Sequence, residues 1–171
     1  MKAKLIIEGK EIEVEISEEE YKKLQPSEEK KTGYERVLSY SDKPYYCIEG
    51  VGNILALTDT EHETDNLLYE TANYYSSKEV AENNARADKL MRQLRRFAAE
   101  NREKEINWND VHYKKYSIYY NYLDNLLEAT YVVWNKAFGS IYFDSEETAQ
   151  AAIDEFHDEL IWYFTGYKDS L

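Results

Sequence analysis

Cysteine, glycine and proline are scarce in this chain of 171 residues, and the scarcity closes off several classes of protein. A single cysteine, Cys47, can form neither an intramolecular disulfide framework nor a cysteine-based zinc site. The six glycines stand at Gly9, Gly33, Gly50, Gly52, Gly139 and Gly166, too dispersed to build a loop that cradles phosphate. Hydrolase and nucleotide-binding signatures are missing as well: there is no G-x-S-x-G, no H-E-x-x-H and no G-x-x-x-x-G-K followed by Ser or Thr. No stretch approaches the roughly 18 to 20 apolar residues that span a bilayer, and Tyr131–Trp134 and Leu160–Phe164 are among the longest apolar patches. The first twenty residues lack the apolar run and small-residue cleavage site of a secretory signal, so a cytoplasmic location is the expectation. Positive charge is in deficit too, with 21 Lys and Arg against 34 Asp and Glu and a net charge of −13. Such a chain repels nucleic-acid phosphates on average.

Apolar residues make up 43 % of the chain, so it carries enough hydrophobic material for a core. Seventeen tyrosines against five phenylalanines is its compositional peculiarity. Residues 2–16 alternate apolar and polar around Gly9-Lys10, the period-two pattern of a β-hairpin. Ser17 with Glu20 forms a capping box, predicting a short helix to about Leu24 that Pro26 ends. The chain therefore divides into an N-terminal ββα module at 1–25, a linker and lead-in at 26–43, and a main body at 44–171. The fold class expected is α+β: antiparallel strands with two principal helices.

The body carries a candidate internal repeat at 44–105 and 114–165. Tyr74-Tyr75-Ser76-Ser77-Lys78-Glu79-Val80-Ala81 aligns with Tyr142-Phe143-Asp144-Ser145-Glu146-Glu147-Thr148-Ala149. In each, an aromatic pair ends a strand and a Ser caps a helix with acid in its first turn. Strands are predicted at Tyr45–Ile48, Ile54–Leu57, Tyr116–Tyr122, Ala129–Trp134 and Ser140–Phe143. The first helix should run from Lys78 to about Asn101, with Val80, Ala87, Met91, Leu94 and Ala98 along one stripe and Arg86, Lys89, Arg92, Arg95, Arg96 and Arg102 outside it. The second should run from Glu146 to about Phe164, burying Ala149, Ala152, Ile153, Phe156, Leu160 and Ile161.

Charge is unevenly placed. Residues 44–77 hold six Asp and Glu and no Lys or Arg, whereas 78–105 hold eight Lys and Arg against six acids. Residues 106–171 return to eleven acids against four basic residues. Two acidic regions thus flank one Arg-bearing helix. Glu61, Glu63 and Asp65 in the first region, with Asp154, Glu155, Asp158 and Glu159 in the second, form a candidate surface for a basic partner. Such a surface would meet arginines and lysines that otherwise neutralise phosphates. Glu61-His62-Glu63-Thr64-Asp65 matches no Ca²⁺-loop spacing and reads as an exposed acidic loop. His112 and His157 read as packed or surface groups and Cys47 as a buried structural thiol, so no catalytic residue, metal or cofactor is expected. The tyrosines suit half-buried sheet faces, while protein interfaces and base stacking are further uses of such residues. A nucleic-acid-associated module using Arg92, Arg95 and Arg96 on single strands is the alternative function, and a homodimer paired through open strand edges is another.

Four segments carry a resemblance: KAKLIIEGKEIEVEISEEEYKKL, YYCIEGVGNILALTD, ANYYSSKEVAENNARADKLMRQLRRFAAEN and GSIYFDSEETAQAAIDEF. They resemble small accessory proteins of bacteriophages and mobile elements. In size, charge and layout the chain is similar to anti-CRISPR proteins that inhibit type II (Cas9) effectors. The resemblance implies a Cas9 effector as partner and interference with DNA binding or cleavage as the activity.

Overall fold

A computed structural model describes residues 2–7, 10–15, 17, 31–37 and 41–170. The chain separates into two units, Met1–Lys31 and Thr32–Leu171. In the first, β1 (Lys2–Ile7) pairs antiparallel with β2 (Lys10–Glu15), and the register sets Ala3 opposite Val14 and Leu5 opposite Ile12. Of the helix expected from Ser17 to Leu24, only Ser17 is among the described residues.

The second unit holds two further antiparallel pairs and four helices among the described residues, giving an α+β fold. β3 (Tyr45–Ile48) pairs with β4 (Ile54–Leu57), followed by α1 (Glu63–Glu70) and α2 (Lys78–Glu100). β5 (Lys115–Asn121) pairs with β6 (Leu126–Val132), followed by α3 (Glu146–Glu155) and α4 (His157–Thr165). One residue extends each pair by a single bridge. Tyr75 exchanges two 2.8 Å backbone hydrogen bonds with Tyr46, and Phe143 exchanges bonds of 3.0 and 2.8 Å with Tyr116. Two residues beyond each bridge, a Ser caps a helix: Ser77 accepts from the Val80 amide and Ser145 from the Thr148 amide. The strand expected over Ser140–Phe143 is thus reduced to the one bridging residue.

α2 is the shared spine. Val80 and Ala81, near its start, pack with Tyr75. Leu90, Leu94 and Ala98, farther along, pack with Phe143, Ala149, Ala152, Ile153 and Leu160. A third cluster joins Tyr45, Cys47 and Tyr74. The single helix expected over 146–164 is broken at Phe156, whose φ of −108° and ψ of 20° leave the helical region. Its ring stands edge-on to Phe97 at 5.7 Å, and the break lets Leu160 join the core already occupied by Ala152 and Ile153. Among the described residues, no helix is long and apolar enough to cross a membrane.

The lead-in is more than a spacer, because residues 32–37 are bonded into the body. Glu35 accepts from the Ser76 hydroxyl at 2.7 Å and from the Thr32 amide. Gly33 adopts a φ of +92°, and a Cβ there would lie 2.7 Å from Val80 Cγ2, so only glycine fits without displacement.

Candidate functional site

The acidic stretch after β4 folds inward. Asp59 is 2 % exposed and accepts from Arg36 Nε at 2.8 Å, Arg36 Nη2 at 3.1 Å, the Tyr74 hydroxyl at 3.0 Å and the Glu61 amide at 2.8 Å. The Arg36 guanidinium holds its carboxyl below the ordinary range, against the opposing effect of burial. Asp65 is also buried, at 6 % exposure. One oxygen accepts from the Tyr45 hydroxyl at 2.7 Å, and the other from the Thr60 amide at 2.9 Å, the Thr60 hydroxyl at 3.0 Å and the His62 amide at 3.1 Å. Burial favours its neutral form most, yet these hydrogen bonds together outweigh burial and hold the carboxyl at about 2.

Asp65 therefore departs from the expected acidic surface. It is the returning half of a capping box on α1, with the His62 ring accepting from the Thr64 amide. The stretch read as an exposed loop is a capped helix start, and only Glu61 and Glu63 of the three acids are exposed. Beneath it, Tyr45 and Tyr74 stack at 4.0 Å and 9°, and burial pushes the Tyr74 phenol up to about 12. These tyrosines bridge buried carboxylates to an apolar core, and that is why tyrosine stands here in place of phenylalanine.

The second acidic group does form a surface. Asp154, Glu155, Asp158 and Glu159 converge at the α3–α4 break, where they line a cleft of about 890 Å³ with the β3–β4 turn and one face of α2. The break is what gathers them, because it redirects α4 just past Glu155. Glu82 adds a fifth carboxylate, against Arg86 and Lys89. Arg86 grips Glu159 bidentately at 2.8 and 3.1 Å and lies 4.0 Å over the Trp162 ring. That grip keeps the Glu159 carboxyl below its usual range. Asp154 accepts from Gln150 at 3.0 Å, and Asp158 stands 3.1 Å from His157 Nδ1 with its side chain fully exposed. Among the described residues, Asp154, Glu155 and Asp158 pair with no Lys or Arg. Three exposed carboxylates thus lack a Lys or Arg partner, while Glu159 is held by Arg86.

Scans against protein-family models, curated proteins and solved structures found no match.

Glu61 and Glu63 do not line this cleft, so the structure divides the expected acidic surface in two. The alternative cationic set is also divided. Arg92, Arg95 and Arg96 are all exposed on α2, but Arg96 lies 3.9 Å from Glu100 while Arg95 lines a depression with Arg102 near the helix end. Among the described residues, no three His, Cys, Asp or Glu side chains are grouped to hold a metal ion. Cys47 is buried beside Tyr45, and burial raises its thiol.

Sequence reasoning passed over Lys115, which is fully buried and donates to the backbone carbonyls of Asp110 at 2.7 Å and Val133 at 2.6 Å. Its one sequence signal is period-two alternation, which puts Lys115 on the same side of β5 as Ser117, also buried.

Proposed function

We propose that this protein is an interaction module that presents the carboxylates of the α3–α4 junction to a cationic protein surface. Its partner, on this reading, is a Cas9-type effector, and its effect is to exclude DNA or guide RNA from that surface. The observation that carries the reading is the cleft in which Asp154, Glu155 and Asp158 stand exposed without a Lys or Arg partner. Effectors of this class read their target-flanking motif with arginines and hold nucleic acid in a basic channel, the kind of surface such a cluster complements. The choice of effector rests on the sequence resemblance. The exposed carboxylates supply encounter rate and selectivity, with apolar anchors such as Val51 at the cleft supplying contact area.

The test is a pull-down against purified Cas9–guide complex, run beside a DNA-cleavage assay. The intact chain should be captured and should suppress cleavage. The variant Asp154→Lys/Glu155→Lys/Asp158→Lys, shown folded by its melting transition, should lose capture by about tenfold or more. Equal capture of a folded variant would remove the acidic cleft from the account. No capture of the intact chain would remove the effector.

A further inference from the structure

At the other end of α2 the local charge reverses. Arg95 and Arg102 line a cleft of about 500 Å³ together with Lys136 and Trp108, and Glu105 is the one carboxylate in its lining. Among the described residues, none of the three cations makes an ion pair. Three cations against one carboxylate around one concavity, in a chain of net charge −13, are a local feature that the overall composition does not produce.

The cleft is also rigidly built. Buried Lys115 ties the Asp110 carbonyl to the Val133 carbonyl, so the segments leading to Trp108 and Lys136 are anchored to one ammonium group. Buried Tyr142 accepts from the Ala137 amide at 2.7 Å and supports Trp108 edge-on at 4.9 Å. Lys136 Nζ stands 4.7 Å and Lys115 Nζ 5.7 Å from the centre of the Trp108 ring, and Trp108 as a residue is 39 % exposed. Two guanidinium forks and an ammonium group beside an accessible indole suit an anion attached to a flat ring.

We propose that this cleft binds a small nucleotide, with its phosphates on Arg95, Arg102 and Lys136 and its base against Trp108. Phosphate is favoured over a single carboxylate because three cations match a multiply charged anion held by forked hydrogen bonds. A small ligand is favoured over a nucleic-acid strand because screening confines the favourable field to roughly 8 Å at physiological salt. A longer polyanion would extend into the acidic surroundings that dominate the chain. The volume also falls within the roughly 300 to 1,000 Å³ of small-ligand sites.

The experiment is calorimetric titration of the full chain with ADP, pyrophosphate, adenosine and a ten-residue thymidine oligonucleotide at low and physiological salt. ADP should bind more tightly than pyrophosphate, and adenosine should not bind measurably. Arg95→Ala/Arg102→Ala should weaken ADP by about tenfold or more, and Arg92→Ala/Arg96→Ala should leave it unchanged. Trp108→Leu should weaken ADP while leaving pyrophosphate untouched, and the pyrophosphate arm shows that the variant retains its cleft. Absence of ADP binding, or binding indifferent to Arg95 and Arg102, overturns the site. Equal affinity for ADP and pyrophosphate, or loss of pyrophosphate binding in the Trp108 variant, overturns the base contact. Tighter binding of the oligonucleotide overturns the assignment to a small ligand.

Discussion

Asp65 accepts four hydrogen bonds from three residues, and its carboxylate form is what those donors require. Replacing it with Asn would turn an amide NH₂ toward donors and leave at least one buried group unsatisfied. Asp65→Asn should therefore destabilise the second unit by about 1–3 kcal/mol, read from urea unfolding at neutral pH. Asp65 and Glu35 both have carboxyls held at about 2, Glu35 chiefly by the Thr32 amide. A carboxyl depressed in the folded state stabilises the fold above its unfolded pKa and loses that contribution as pH falls through the folded value. Stability should be flat down to about pH 4.5 and then fall toward about pH 2, with a shallower fall in Asp65→Asn. A urea midpoint that rises on acidification over this window would contradict the assignment.

At the scale of elements, two serine caps and one glycine fix where α2 and α3 begin. Ser77→Ala and Ser145→Ala should each cost about 1 kcal/mol, measured as a loss of thermal stability. Gly33→Ala should cost more than Ser77→Ala, since it combines an unfavourable φ with a clash against Val80. Equal melting temperatures for the two variants would show that the lead-in is not pinned there.

These elements also show what the sequence made legible. Short apolar runs on either side of Gly50 and Gly52 located β3 and β4, and i, i+3/i+4 spacing located α2 to within a residue of its end, because both signals are local. The Ser caps were legible for the same reason. The break at Phe156 was not, since the apolar stripe runs through it and only the packing of Phe97 and Leu160 from elsewhere decides the bend. α1 was masked by its acids, because the burial of Asp65 depends on the Tyr45 hydroxyl, which comes from β3. Of the candidate site, Asp154, Glu155, Asp158 and Glu159 were found as a group. Glu61 and Glu63 were found but lie outside the cleft, and Asp65 was assigned to a surface that it does not reach. Lys115 was hidden because its partners are backbone carbonyls, which leave no mark in side-chain patterning.

At the largest scale, charge in the second unit is organised along α2. Carboxylates gather where α2 meets the α3–α4 junction, and cations gather toward its C-terminal end. Under the proposed function, partner binding should weaken as salt rises, because exposed charges are screened within roughly 8 Å at physiological ionic strength. A pairing dominated by apolar contacts would change little over the same range. The most direct measurement is the affinity of the intact chain and of Asp154→Lys/Glu155→Lys/Asp158→Lys for purified Cas9–guide complex, at low and physiological salt. The account predicts measurable, salt-weakened binding by the intact chain and a loss of about tenfold or more in the folded variant. Undetectable binding by the intact chain, or equal binding by both, would contradict it.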